Sequence, residues 1–226
     1  MSAVTARITP QVDWGRIDTV LLDMDGTLLD RHFDDYFWEQ YVPEVYGRQN
    51  GLPLAEAKQT LLARYRREEG TLAWTDLDFW SRELGLDIPA LKIRVDHLIQ
   101  VHPYVLDFLD HCRQLGKQLY IVTNAHSKTL EIKMRKTALG DHFDRIVCAE
   151  EVGMAKEEPR FWEALKAVIP YREEHALLAD DNEAVLGSAQ EHGIHTLIYV
   201  ARPSSTLPVR YSPRFPSIVY FNELIR

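Results

Sequence analysis

Val20-Leu21-Leu22-Asp23-Met24-Asp25-Gly26-Thr27-Leu28 is the stretch whose reading decides the fold. Three apolar residues run directly into an acid, as a buried strand does when it surfaces at a site. Asp23 and Asp25 are two apart, so in an extended chain their carboxylates project to the same side. Gly26 and Thr27 then let the backbone turn sharply. Two carboxylates held together raise each other's pKa unless a positive group lies between them. The pattern points to a divalent cation or to a nucleophile/acid pair, and the two are compatible. A plain Asp-Gly hairpin is the competing reading, but the apolar run beyond Gly26 is only Leu28-Leu29 before Asp30 and Arg31 end it.

Further along, the same arrangement recurs. Leu119 to Val122 reads as a short buried strand ending in Thr123-Asn124, and Ala176 to Ala179 as another ending in Asp180-Asp181. Arg145 to Ala149 and Leu197 to Val200 complete the expected strands, the last closing the series. Helices are expected between them: Val105 to Leu115 stopped by Gly116, a helix capped by Ser127 and running through Leu139, Glu158 to Ile169, and one capped by Asn182 and running to His192. Strands of four to six apolar residues alternating with helices predict an α/β, Rossmann-like core with a parallel sheet and helices on both faces. In such folds ligands bind beyond the carboxyl ends of the strands. Asp23/Asp25, Thr123/Asn124 and Asp180/Asp181 all fall there.

Residues 31–101 have a different character, helical with little that reads as strand. Phe37, Tyr41 and Val45 recur at helical spacing and predict one amphipathic helix. A second covers Leu54 to Arg67, with Leu61 and Leu62 inward. A third covers Leu77 to Leu84, and a fourth begins at an Asp87 cap and extends to Gln100. The expected division is a core of 1–30 plus 102–226 and a helical cap of 31–101 that lies over the functional edge as a lid. The strand before Asp23 is expected over 17–23, and residues 1–16 as a loosely attached arm.

The 226 residues can bury a sizeable core, and 46% hydrophobic with 27% charged residues is the composition of a water-soluble globular chain. Acids outnumber Lys plus Arg by 34 to 26, a net charge of −8, which argues against binding nucleic-acid polymers or anionic membranes. Neither a signal peptide nor an apolar run of the ~18 residues that suggest a span is seen. Cys112 and Cys148, far apart among apolar neighbours, read as free thiols of a cytoplasmic protein. No protein partner is evident.

Asp23-Met24-Asp25-Gly26-Thr27 resembles motif I of the haloacid dehalogenase-like (HAD) phosphatases. Thr123-Asn124 is similar to motif II, Lys156 stands in the place of motif III, and Asp180-Asp181 resembles motif IV. In place of the usual Lys-Pro the chain has Lys156-Glu157-Glu158-Pro159, a departure that bears on the shape of that loop. The resemblance implies the HAD fold with a C1-type cap and a phosphate monoester as small-molecule substrate. It makes Asp23 the nucleophile that forms an aspartyl-phosphate and Asp25 the acid and base. Phosphate would be bound by the Thr123 hydroxyl, the next N–H at Asn124, and Lys156. Mg²⁺ would be held by Asp23, the Asp25 carbonyl and Asp181, with Asp180 in support. The charges suit this: the cation and Lys156 roughly balance the nucleophile and a phosphate dianion.

Segments 18–30, Phe33 to Trp38, Thr123 to His126 and Asp78 to Ser81 are similar to bacterial GMP/IMP nucleotidases of this superfamily. That likeness implies purine 5′-mononucleotides as substrates, and the aromatic-rich cap, including Trp38, Tyr65 and Trp74, offers rings for a base. The alternatives are a phosphatase or mutase of small sugar phosphates, which would keep every motif, a dehalogenase, which would lack Asp25, and a catalytically idle binding module.

Overall fold

β1 (Thr19–Leu22) is wholly buried and is the central rail of a six-stranded sheet. The computed structural model describes residues 7–68 and 71–225. The other strands are β2 (Gln118–Thr123), β3 (Arg145–Cys148), β4 (Ala176–Asp180), β5 (Thr196–Val200) and β6 (Ser217–Ile218). Their order is β3-β2-β1-β4-β5-β6, and every neighbouring pair is parallel. The chain steps outward from β1 to β2 and β3, then returns to the other side of β1 for β4, so a crevice opens between β1 and β4 at their carboxyl ends. Leu22 lies opposite both Ile121 and Ala179. This register brings Asp23, Thr123 and Asp180 to one edge.

Side-chain alternation along the strands builds the two layers. Val20, Leu22, Leu119, Ile121, Leu177 and Ala179 enter one core, shared with Val105, Phe108 and Leu109 of the helix Val105–Gln114. Leu21, Tyr120, Val122, Val147 and Leu178 point the other way, onto Phe161, Trp162, Val185 and Leu186. The period of two thus puts helices on both faces.

The helical insertion follows β1. It comprises α1 (His32–Tyr36), which continues through a π turn at Phe37–Tyr41 into α2 (Val42–Asn50), then α3 (Leu54–Glu68), α4 (Leu72–Thr75), α5 (Leu77–Leu84) and α6 (Ile88–Arg94). Its entry and exit run side by side: Asp30 N donates to Gln100 O, His102 N to Leu28 O, and Leu29 bridges Val101. The sheet region resumes with α7 (Val105–Gln114), α8 (Ser127–Thr137), α9 (Ala149–Val152), α10 (Phe161–Leu165) and α11 (Glu183–His192). Asp76, Asp87 and Asn182 cap α5, α6 and α11 through side-chain oxygens, as their residue types favour.

Several expectations are corrected. α3 buries the stripe Ala57, Leu61 and Tyr65, so Leu62, one position round the helix, is exposed and lines the cavity described below. The fourth cap helix ends at Arg94 and a short 3₁₀ turn, Asp96–Leu98, replaces its last turn. His126, not Ser127, caps α8 by accepting from Lys128 N. That helix stops at Thr137 because Ala138 turns left-handed at φ 55°. α10 covers only Phe161–Leu165, because from Lys166 the chain continues in tighter i→i+3 bonds, Lys166 N to Glu163 O, Ala167 N to Ala164 O and Val168 N to Leu165 O.

The chain also carries a sixth strand beyond Val200, two residues long after Pro216. The N-terminal arm is not loose over its described part. Lys117 Nζ donates to Trp14 O and Ile17 O, Trp14 Nε1 to Leu224 O, and Ser217 N to Ile8 O. Residues 1–6 of that arm lie outside the described residues. Cys112 and Cys148 are free and buried. Among the described residues no helix is long and apolar enough to cross a membrane.

Candidate active site

At the carboxyl edge of β1, β2 and β4, beneath the helical insertion, lies a cavity of about 550 Å³. That is within the ~300–1,000 Å³ typical of small-molecule sites. Asp23, Asp25, Thr123, Asn124, Lys156, Asp180 and Asp181, the residues singled out in the sequence, all line it. The opposite wall comes from the insertion and carries Trp38, Tyr65 and Trp74 with Arg66.

Lys156 is the hinge of the lower wall. Its ammonium lies 2.6 Å from Asp23 Oδ1, 2.7 Å from Asp180 Oδ2 and 3.1 Å from Val122 O, almost wholly buried. The displaced proline does not disturb it, because side chains shape the loop instead. Asn124 Oδ1 accepts from Lys156 N at 3.0 Å and Ser188 Oγ donates to Lys156 O at 2.6 Å. Glu157 then accepts from both Asn124 Nδ2 and Asn182 Nδ2. The Asn124 side chain is therefore occupied in holding the loop. Thr123 Oγ1 accepts from Ala125 N at 3.0 Å, which leaves the hydroxyl proton free to donate.

Asp23, Asp180 and Asp181 each present a carboxylate oxygen, and these lie within 4.8 Å of one another. Asp180 is engaged twice, by Lys156 and by Asn182 N at 2.8 Å. Asp181 is paired through Oδ2 with Arg31 Nη1 at 2.8 Å. Gly26 makes the close approach possible. Its φ is 90°, and a Cβ there would stand 2.5 Å from Asp181 Oδ2. An all-oxygen cluster of two buried acids and one half-buried acid is the donor chemistry that hard divalent ions select.

The electrostatics follow from burial. Desolvation pushes the Asp23 carboxyl up to about 6, with Lys156 pulling against it and Asp180 adding to it. Burial likewise raises Asp25 to about 6, opposed by Lys133 and reinforced by Asp34 and Asp23. Asp181 is pushed well above the usual carboxylate range by burial and by its neighbours Asp23 and Asp180. Burial disfavours the charge on Lys156, but Asp180 and Asp23 outweigh it and raise its pKa.

Sequence reading missed a second charged cluster. Lys133 Nζ of α8 lies 2.5 Å from Asp25 Oδ1 and 2.5 Å from Asp34 Oδ2, while Lys92 Nζ of α6 lies 2.8 Å from Asp34 Oδ1. Although burial pushes Asp34 up, the two lysines hold it far below the usual range. The signal available was helical phase: Lys133 follows buried Thr129 and Ile132, and Lys92 follows buried Ile88 and Leu91.

Against this geometry, the comparison with known families is decisive: the haloacid dehalogenase-like hydrolase family matches residues 17–193, most of the chain. The chain belongs to the haloacid dehalogenase-like hydrolases. It is 37% identical over 214 residues to the GMP/IMP nucleotidase YrfG of Escherichia coli (strain K12), covering 95% of this chain and 96% of that one. Among solved HAD structures, the HAD phosphatase from Thermococcus onnurineus superposes with a TM-score of 0.78 at 24% identity, covering 92% of this chain and 96% of the other. The HAD-hydrolase YfnB from Bacillus subtilis, bound to magnesium, gives 0.60 at 22% identity, covering 92% and 97%. These two likenesses concern the fold, and they agree on a HAD core with an inserted helical cap.

Proposed function

We propose that the protein is a Mg²⁺-dependent phosphomonoester hydrolase that works through an aspartyl-phosphate on Asp23 and prefers purine 5′-mononucleotides. One observation carries the chemistry: Lys156 holds a single oxygen of Asp23, 2.6 Å away, at the floor of the cavity and leaves the other for attack. The Thr123 hydroxyl and the Asn124 N–H bind the phosphoryl oxygens, and the Lys156 ammonium, whose three donors are taken by Asp23, Asp180 and Val122 O, adds positive charge beside them. Asp25 protonates the departing alcohol and then takes a proton from the attacking water. Mg²⁺ fits the oxygen cluster and would be held by Asp23, the Asp25 main-chain carbonyl and Asp181. When bound it supplies positive charge to the phosphoryl oxygens. Asp180 supports the site by holding Lys156.

Residues 31–101 act as the cap over a core of 1–30 and 102–226, and the cap supplies the wall of Trp38, Tyr65 and Trp74 opposite the phosphate end. Every purine offers such rings a face on which to stack. The 37% identity to a GMP/IMP nucleotidase supports the same substrate class here. Two buried, unpaired cysteines suit a reducing cytoplasm, where free nucleotides are found.

The test is phosphate release with Mg²⁺ from GMP, IMP, AMP, ribose 5-phosphate and p-nitrophenyl phosphate. The expected result is the highest kcat/KM for GMP and IMP with free phosphate as product. A higher kcat/KM for ribose 5-phosphate, or phosphate retained on an isomerised product, would overturn the nucleotidase reading in favour of a sugar-phosphate enzyme. Silence in EDTA, reversed by Mg²⁺, checks the metal.

A further inference from the structure

Lys133 is about 1% exposed and does not line the cavity, whereas Asp25 and Asp34, its two partners, both do. It therefore stands behind Asp25, out of reach of a substrate. Its ammonium also lies 5.3 Å from the Phe33 ring, and Lys92 stands 4.8 Å from the same ring. Two carboxylates and a ring face leave it little freedom. Among the described residues Asp25 Oδ1 is bonded to Lys133 and Oδ2 to no side chain. Stability alone is a poor reason for such a group: an apolar replacement for a buried ion pair is often neutral or stabilising.

We propose that Lys133 is a positioning residue for the acid/base step, clamping Asp25 through Oδ1 so that Oδ2 is held for the departing alcohol. Asp34 is the second jaw of the clamp, fixed in turn by Lys92 from the helical insertion. The step balances as follows. As an Asp23 oxygen bonds to phosphorus the ester O–P bond breaks with its electron pair on the ester oxygen, which takes the proton released as the Asp25 Oδ2–H bond breaks. Asp25 is left a carboxylate with the Lys133 ammonium beside it. In the second half-reaction that carboxylate removes a proton from the water whose oxygen bonds to phosphorus, the Asp23 O–P bond breaks with its electrons on Asp23, and phosphate leaves. Loss of the clamp leaves the nucleophile and the phosphate site intact but lets the acid wander, and a misplacement of ~1 Å costs about 100-fold.

This inference rests on the aspartyl-phosphate reading with Asp25 as acid, and leaving-group dependence separates the two. Phenyl phosphate needs a proton on its leaving oxygen, whereas p-nitrophenyl phosphate needs little. In single-turnover phosphorylation, Lys133→Met should lose about 100-fold on phenyl phosphate, in rate constant rather than in affinity. It should lose less than about threefold on p-nitrophenyl phosphate. Asp25→Asn should show the same selectivity, and adding Lys133→Met to it should cost nothing further. Equal losses on both substrates, or additive losses in the double variant, would overturn the clamp. If Asp25→Asn itself shows no selectivity, the acid assignment falls and this inference with it. If Asp25→Asn is selective and Lys133→Met is not, the clamp alone falls. Should Lys133→Met fail to fold, Asp34→Asn carries the test. It should lose about tenfold on phenyl phosphate and little on p-nitrophenyl phosphate, and an unselective or absent loss would overturn the proposal.

Discussion

Gly26→Ala is the sharpest test of how the site is assembled. At φ 90° an L side chain is strained, by ~1–2 kcal/mol for left-handed backbone. The new methyl would meet Asp181 Oδ2 at 2.5 Å, Asp181 Cγ at 2.7 Å and Pro203 Cβ at 3.0 Å. Ordinary contact begins at 3.4 Å, so Asp181 must retreat by about 0.9 Å. Pro203 is held as well, since its carbonyl accepts from Arg31 N at 2.9 Å. Overpacking of this kind costs ~1–3 kcal/mol. Together these make the variant about 2–5 kcal/mol less stable.

The functional loss has a separate cause, since a displaced Asp181 leaves the oxygen cluster that Asp23 and Asp180 complete. Urea unfolding measures the first effect. The Mg²⁺ dependence of thermal stability and of phosphate release measures the second, with the Mg²⁺ requirement raised at least tenfold and turnover lowered about 100-fold. A Gly26→Ala protein with wild-type Mg²⁺ dependence would show that Asp181 does not act from this position, and one of wild-type stability would refute the packing argument.

Asp23→Asn abolishes turnover in a folded protein, and wild-type-like phosphate release would end the covalent mechanism. The same variant has a pH signature without metal. Asp23 titrates near 6 in the native protein against 3.8 unfolded, so the native state keeps a proton that the unfolded chain releases. The stability this lends is present below about pH 4 and is lost as pH rises through about 6. Asp23→Asn should therefore gain on the wild type by roughly 1–3 kcal/mol between pH 4.5 and 7.5, and a gain that shrinks over that interval would contradict it. Lys156→Met leaves Asp23 and Asp180 buried without a counter-charge, so the variant should lose ~3–5 kcal/mol at pH 7.5 by urea titration. Part of that loss should return at pH 5 as the acids take up protons; a loss independent of pH would rule out charge as its cause. Trp74→Leu should lower kcat/KM for GMP more than for p-nitrophenyl phosphate, and equal losses would remove the ring from base recognition.

What was legible in the sequence is what local pattern encodes. Asp23, Thr123 and Asp180 each end a short apolar run, and a parallel sheet in common register brings such ends together without further information. β6 was illegible because it is two residues long beside Pro216 and exists only through pairing with β5. The anchoring of the N-terminal arm depends on Lys117 and Leu224, both more than 100 positions from Trp14, so no window of sequence contains it. Lys133 and Lys92 were missed because lysines on helices are solvated far more often than buried. Only their phase against Ile132 and Leu91 marks these two as inward.

Under the proposed function the two charged clusters divide the chemistry between them. Around the phosphate end stand three carboxylates, Asp23, Asp180 and Asp181, against two cations, Lys156 and Arg31, a formal balance of −1. Around Asp25 stand two carboxylates, Asp25 and Asp34, against Lys133 and Lys92, a balance of zero. A phosphate monoester brings close to two further negative charges to the first cluster, where burial already raises Asp181 and Asp23. On that count the phosphate end is incomplete without added positive charge. With Asp25 ionised the second cluster balances without an ion. On the proposed mechanism a cation requirement should accordingly fall on phosphoryl binding and transfer, and the placement of Asp25 on the protein's own lysines.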